Sequence, residues 1–286
     1  MEHKQQQQQE TALHIHIKIC EPDASPGRTA NRKVCHNTDV PERSGGHRCG
    51  EDLMRGAVEA TGIDGLDEML GGGLPANSIT AVLGSFGTGK TTLALQYLLK
   101  GLNSGEKCIF ISLEEDEQSI LKNAGSYGWD LSTHISEGRL SLVRLEPYNT
   151  RTSIERIRSE FPEFIRNFGA KRVVLDSVSL LTMLYDSDAE KRAGLFTLCN
   201  LIRESGAGAL LTSEVNENHP VSSRDGMVEY TVDGVILLQS VESKDASEQQ
   251  LTIRIVKMRG VGHSRRIKPY SITRDGIVVH SGSEVF

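Results

Sequence analysis

From residue 58 onward the chain alternates short apolar runs with longer segments whose apolar residues recur at helical spacing. The runs "SITAVLG", "KCIFISL", "RLSLVRL", "KRVVLDS" and "GAGALLTS" are apolar at successive positions, with Val, Ile and Leu prominent as a group. Strands buried on both faces have that character, whereas a half-exposed strand alternates apolar with polar. Between the runs, "GKTTLALQYLLKGL", "EQSILKNAGSYG", "SIERIRSEFPEFIRNF" and "AEKRAGLFTLCNLIRES" predict helices. This order implies an α/β fold, a mainly parallel twisted sheet with helices on both faces. After Asp233 the rhythm changes to "GVILLQS", "QLTIRIVKM", "RRIKPYSIT" and "GIVVHS", strand after strand. Short connections of that kind predict antiparallel hairpins extending one edge of the sheet. No internal repeat is visible, so the unit occurs once.

The first part of the chain breaks this pattern. It holds "QQQQQ", three of the eight prolines and five of the nine histidines, and none of the fourteen aromatic residues precedes Phe86. So little apolar surface cannot offset the entropy of ordering, so residues 1–57 are expected to be a disordered low-complexity tail and 58–286 the folded domain. Cys20, Cys35 and Cys49 share the tail with His14, His16, His36 and His47 without CxxC or HxxxH spacing. A zinc clip there competes with an unstructured extension, or with a true start at Met54. Cys108 and Cys199 lie in apolar surroundings typical of buried thiols.

The tail's eight basic and eight acidic residues cancel, so the net charge of -6 belongs to the folded part and gives no sign of bulk nucleic-acid binding. No apolar run approaches the roughly 18–20 residues of a membrane span, and the Gln-rich start lacks a signal peptide's apolar core. The expectation is a cytoplasmic protein with no membrane contact.

"GSFGTGKT" fits GxxxxGK[ST] in full, after an apolar strand and before a helix, the context the motif requires. Gly84, Ser85, Phe86, Gly87, Thr88 and Gly89 form a loop whose backbone N–H groups would converge on phosphates, with Thr92 in the helix start beyond. Lys90 would reach the β and γ phosphates, and the Thr91 hydroxyl would ligate Mg²⁺. "RVVLDS" ends a strand in Asp176, placed to hold the same ion through water, although an aspartate at a strand end also serves as a cap. Ser177, not Glu, follows it, so a hydrolytic base must come from elsewhere. "KCIFISL" delivers Glu114 and Glu115 to the carboxyl edge of the sheet, where a doubly wound fold keeps its site. Either could orient or deprotonate an attacking water, and a helix-cap role competes for both. Asp116 and Glu117 stand where a helix start favours acids.

The succession "TGIDGLDEMLGGGLPANSITAVLGSFGTGKTTLALQYL", "FISLEED", "VVLDS" and "KMRGVGHS" resembles the KaiC-like branch of the RecA superfamily of ATPases, over about residues 59 to 281. The resemblance implies a RecA-like P-loop core, ATP with Mg²⁺, and assembly into a ring, usually a hexamer, with ATP between subunits. It implies Glu114 as proton acceptor with Glu115 assisting. From Leu251 to Thr273 the chain carries Arg254, Lys257, Arg259, Arg265, Arg266 and Lys268 and no acid. Such a hairpin could meet a neighbour's phosphate, bind nucleic acid or be a solvated face. The resemblance selects the first for Lys257 and Arg259, with His263 nearby. Three departures stand against it: the family's namesake is a tandem of two domains, its adjacent Ser/Thr phosphorylation pair has no clear match around Ser187, and Val261 replaces a hydroxyl residue. The function expected is therefore a ring-forming regulatory ATPase with an unidentified protein partner. A DNA recombination or helicase accessory ATPase and a self-phosphorylating kinase are the alternatives. Residues 216–233 are expected to be a polar surface loop.

Overall fold

The computed structural model of the protein describes residues 57–145, 159–242 and 248–285. Residues 1–56 of the tail, with the zinc clip considered there and Met54, and residues 153–158 of the helix expected over 153–168 lie outside the described residues. A small antiparallel ribbon, β1 (Val58–Glu59) with β2 (Leu74–Pro75), flanks the single-turn helix α1 (Leu66–Met69). The main sheet starts with β3 (Ile79–Gly84), buried throughout, and the Gly-rich loop leads into α2 (Lys90–Asn103). β4 (Cys108–Ser112) is followed by α3 (Glu117–Ser126) and α4 (Leu131–Ser136). Each of these helices starts at an aspartate whose carboxylate accepts a backbone N–H three residues on: Asp116 from Ser119 at 2.8 Å and Asp130 from Thr133 at 3.1 Å. Then come β5 (Leu140–Arg144), α5 (Phe161–Phe168), β6 (Arg172–Asp176), α6 (Val178–Thr182) and α7 (Asp188–Ser205). A capping box opens α7: the Ser187 hydroxyl accepts the Glu190 N–H while the Glu190 carboxylate accepts the Ser187 N–H. β7 (Gly208–Asn216), β8 (His219–Ser223), α8 (Val228–Thr231), β9 (Gly234–Glu242), β10 (Gln249–Met258), β11 (Lys268–Thr273) and β12 (Gly276–Val279) complete the chain.

The strand order is β12-β11-β10-β9-β3-β7-β6-β4-β5, with β8 paired to β7. From β9 to β5 all pairings are parallel, and β10, β11 and β12 extend the β9 edge antiparallel, as the sequence pattern predicts. The parallel strands divide their side chains by parity. Val82, Phe110 and Val174 pack under α2, α3 and α4, whereas Ala81, Leu83, Ile109, Ile111 and Leu175 pack under α5, α6, α7 and α8. Both faces are thereby covered, which is why the central strands carry no polar stripe. Cys108 and Cys199 are buried thiols, and burial pushes both up to about 12.

Residues 216–233 are not a plain loop. Val215 pairs with Ser223 and Asn216 with His219, so β7 continues into a hairpin, and α8 follows within the same stretch. The Glu229 carboxylate accepts from both the backbone and the hydroxyl of Ser223, tying hairpin to helix through side chains that read as loop residues in sequence. Lys268 also departs from the solvated face considered for the basic hairpin: it is buried, with its ammonium 2.8 Å from the Ser283 carbonyl. Among the described residues no helix is long and apolar enough to cross a membrane.

Below the sheet, at the amino end of β6, Arg172 joins three elements. It donates to the carbonyls of Ala60 at 2.8 Å and Tyr97 at 2.9 Å and to Glu106 at 2.6 Å, and its guanidinium stacks 4.5 Å from the Tyr97 ring centre. The Tyr97 hydroxyl in turn donates to Glu59 at 2.8 Å. Removing the guanidinium takes a donor from the Ala60 carbonyl and from the helical Tyr97 carbonyl, and the ion-pair partner from Glu106. Arg172→Met should therefore lower the unfolding free energy by about 3 kcal/mol in urea titrations, at unchanged m-value.

Candidate active site

The carboxyl ends of β3, β7, β6 and β4 lie side by side, and the candidate site is built on them. Gly84 ends β3 under a tight constraint, since a Cβ there would come 2.5 Å from the Thr88 hydroxyl oxygen. Gly89, at φ 81°, turns the chain through the left-handed region into α2, a conformation that favours glycine. The loop braces itself: the Thr88 hydroxyl donates to the Ser85 carbonyl at 2.7 Å, and the Lys90 ammonium donates to the same carbonyl at 3.0 Å. Tyr270, from β11, donates to the Thr88 carbonyl at 2.5 Å, so the antiparallel extension grips the loop from below. Phe86 stands at the tip with 95% of its surface exposed. Thr92, by contrast, is buried, and its hydroxyl is 3.2 Å from that of Tyr127.

Asp176, 5% exposed, receives the Thr91 hydroxyl at 2.7 Å on one oxygen and the Thr212 hydroxyl on the other. The Thr91 and Asp176 oxygens therefore meet, as the sequence reading requires. An all-oxygen pair with one carboxylate fits Mg²⁺, which takes one or two carboxylates together with substrate phosphates. Burial lowers the basicity of Lys90, and the charges of Asp176, Glu214 and Glu114 oppose that effect. A phosphate arriving in the loop would oppose it further and favour the charged ammonium.

β4 delivers the acids to this edge. The Ser112 hydroxyl accepts the backbone N–H groups of Glu114 at 3.2 Å and Glu115 at 2.8 Å, and the Leu113 N–H donates to the Asp176 carbonyl at 2.8 Å. The three acids then separate. Glu114 is exposed and accepts the Ser177 hydroxyl at 2.8 Å, Glu115 is half-buried, and Asp116 caps α3. Thus Ser177, whose identity in sequence signals only the lack of an acid beside Asp176, holds Glu114 in place. Neither Ser177 nor Thr212 is recognisable as a site residue from sequence. The strand order alone brings their hydroxyls to Glu114 and Asp176.

The basic residues of "KMRGVGHS" lie elsewhere. Met258 pairs with Gly234, and Gly234 pairs with Thr80 near the start of β3, so Lys257 and Arg259 sit at the amino end of the parallel strands. The Gly-rich loop is at the other end, about 15–20 Å away at roughly 3.3 Å per residue. Arg259 is largely exposed, its guanidinium 3.5 Å from Asp233, which also pairs with Arg203 at 3.2 Å and accepts the Ile79 N–H at 3.1 Å. Lys257 is engaged more closely, donating to the carbonyls of Glu229 at 2.8 Å and Val232 at 2.6 Å. Burial, then the neighbouring Arg259 charge, lowers its basicity. His263 follows in a loop packed on α1, where the Ser264 N–H donates to the Met69 carbonyl at 2.8 Å; its Nδ1 is buried without a hydrogen-bond partner.

Comparison with known proteins gives one consistent result. The family model described as "ATPase: KaiC" matches residues 59–284. A circadian clock oscillator protein KaiC from Prochlorococcus marinus is 35% identical over 230 residues, covering 77% of this chain and 44% of the relative. That of Synechococcus elongatus is 34% identical over 228 residues, covering 76% and 43% respectively. The chain thus spans less than half the length of these curated relatives. The crystal structure of a KaiC-like protein from the hyperthermophilic archaeon Pyrococcus horikoshii superposes with a TM-score of 0.69 at 31% identity, over 79% of this chain and 99% of that one.

Glu115 supplies a test of the site's electrostatics. Burial, then the charges of Asp176, Glu114 and Asp116, raise its carboxyl above the usual 4.5. The folded nucleotide-free protein therefore holds this proton to higher pH than the unfolded chain does, and its contribution to stability is lost as pH rises from about 4.5 through the raised value. Glu115→Gln should melt at a higher temperature than the parent at neutral pH, with the difference closing below about pH 4.5 in thermal scans.

Proposed function

The chain belongs to the KaiC ATPase family, and on that premise we propose that it hydrolyses ATP with Mg²⁺ in sites shared between neighbouring copies of a closed ring, and uses its nucleotide state to signal to a protein partner. A hexamer is the expected assembly. The observation that carries this reading is the separation of two complementary half-sites on one sheet: the loop with Lys90, Asp176 and Glu114 at one end, Arg259 at the other. One copy cannot join them, whereas a head-to-tail contact between two copies can, and repeated contacts of that kind close into rings.

In this reading the backbone N–H groups of the Gly84–Thr91 loop and the amino end of α2 hold the β and γ phosphates, with Lys90 countering their charge. Thr91 and Asp176 hold Mg²⁺, which when bound offsets charge on the phosphate oxygens. Glu114, oriented by the Ser177 hydroxyl, accepts a proton from the attacking water, and Glu115 assists from its half-buried position. The water oxygen bonds to the γ phosphorus as the bond to the bridging oxygen breaks, releasing ADP and phosphate. The neighbouring copy's Arg259 neutralises charge that develops on the equatorial oxygens, an effect worth roughly a thousandfold or more in rate. Lys257, anchored to two carbonyls, positions the strand end that carries Arg259, and His263 shapes the segment beyond it.

Two measurements test this. Lys90→Ala should abolish phosphate release from ATP, and a parent-like rate would refute the site assignment. Arg259→Ala and Glu114→Gln proteins should each be inactive alone, yet equal mixtures allowed to exchange subunits should recover about a quarter of the parent rate, because one contact in four then joins an intact loop to an intact arginine. No recovery at any ratio would refute shared sites.

A further inference from the structure

Phe86 is an anomaly for a phosphate-binding loop. The loop's chemistry is done by backbone N–H groups, the Lys90 ammonium and the Thr91 hydroxyl, and none of these needs an aromatic ring at the tip. Yet the ring is there, 95% exposed, carrying an apolar area that water penalises. A receptor of matching character lies along α7 and reaches the far end of the same fold. Between α7 and α8 lies a cleft of about 1000 Å³, lined in part by Phe196, Met227, Tyr230 and Arg259. Phe196 and Tyr230 are themselves 58% and 72% exposed, so the cleft presents two aromatic faces to solvent directly beside the arginine.

We propose that, between adjacent copies, Phe86 of one inserts into the α7–α8 cleft of the next, and that this contact sets the register in which Arg259 meets the neighbouring nucleotide. The inference rests on the ring reading above and names the contact that would align it. Three observations support it. The part of the cleft formed by Arg203, Asp233 and Arg259 lies at the end of the sheet opposite the loop tip, the relation a head-to-tail contact needs. Charge adds a smaller contribution: Glu114, Glu115 and Glu214 surround the loop, and the cleft, lined by Arg192, Arg203 and Arg259 against Asp188 and Asp233, keeps a net positive charge. Finally, Phe86 and the phosphate-binding N–H groups belong to one short loop, so a surface that receives the ring is brought close to the phosphates. Tyr230 and Phe196 would then stack on Phe86, with the Arg259 guanidinium at the edge of the aromatic cluster.

The test uses the full chain with Mg²⁺ and a non-hydrolysable ATP analogue. Phe86→p-benzoylphenylalanine is irradiated, the assembly is weighed by native mass spectrometry, and the cross-linked peptides are sequenced. The expected result is an oligomer with intermolecular cross-links from position 86 to residues 188–203 or 227–233. In parallel, Phe86→Ala should raise the protein concentration at half-assembly by about 10- to 100-fold, the scale of one lost aromatic burial. If the parent assembles but the cross-links fall elsewhere, or Phe86→Ala leaves the half-assembly concentration unchanged, the Phe86 contact is wrong while the ring stands. If the parent stays monomeric with the nucleotide analogue, both the contact and the ring reading fall.

Discussion

Asp176 is a carboxylate taken almost wholly out of water at the end of a central strand, and it needs hydrogen-bond donors from other elements. They come from Thr91, at the start of α2, and from Thr212, on β7, while the Asp176 carbonyl accepts the Leu113 N–H beyond β4. An unmade bond at such a group costs about 1–3 kcal/mol, so these partners are part of the stability of the sheet as well as of its site. The order β3-β7-β6-β4 meets this requirement by putting four strand ends around one carboxylate. The acids at the end of β4 and the lysine at the start of α2 are then close without any further device.

Much of this was legible in the chain. The continuous apolar runs predict buried parallel strands, and the GxxxxGK[ST] spacing identifies the loop, because both depend on neighbours in sequence. Asp116 was readable as a helix cap for the same reason: its partner, the Ser119 N–H, is three residues away. The contacts that finish the site are of another kind. Thr212 reaches Asp176 across 36 residues and Ser177 reaches Glu114 across 63, and strand order, which local pattern does not specify, sets both. The β7–β8 hairpin escaped for a different reason: "NENHPVSSRDG" reads as loop because its pairing strand is polar and exposed, leaving no apolar alternation to detect.

The two glutamates after Leu113 show how adjacent, identical residues acquire different properties. Both backbones are held by one hydroxyl, that of Ser112, yet the side chains leave the turn toward different surroundings. Glu114 gains a donor from Ser177, whereas Glu115 faces burial and three neighbouring carboxylates. Local pattern alone offers two equivalent acids. The turn makes them inequivalent by pointing one at a hydroxyl and the other at negative charge.

β10, paired with β9 from Gln249 to Met258 and with β11 at Thr252 and Ile253, runs the length of the sheet. At one end it finishes beside Arg259; at the other, Tyr270 of the paired β11 holds the carbonyl of Thr88 in the loop. Paired strands resist stretching along their axis, so the β9–β10 ladder would behave as a stiff rod between the two ends of the sheet. A push delivered to the arginine end would then be felt at the grip on the loop, and a change in the loop would return to the arginine. A fold built this way would transmit displacement along its sheet as well as hold a site at one end of it.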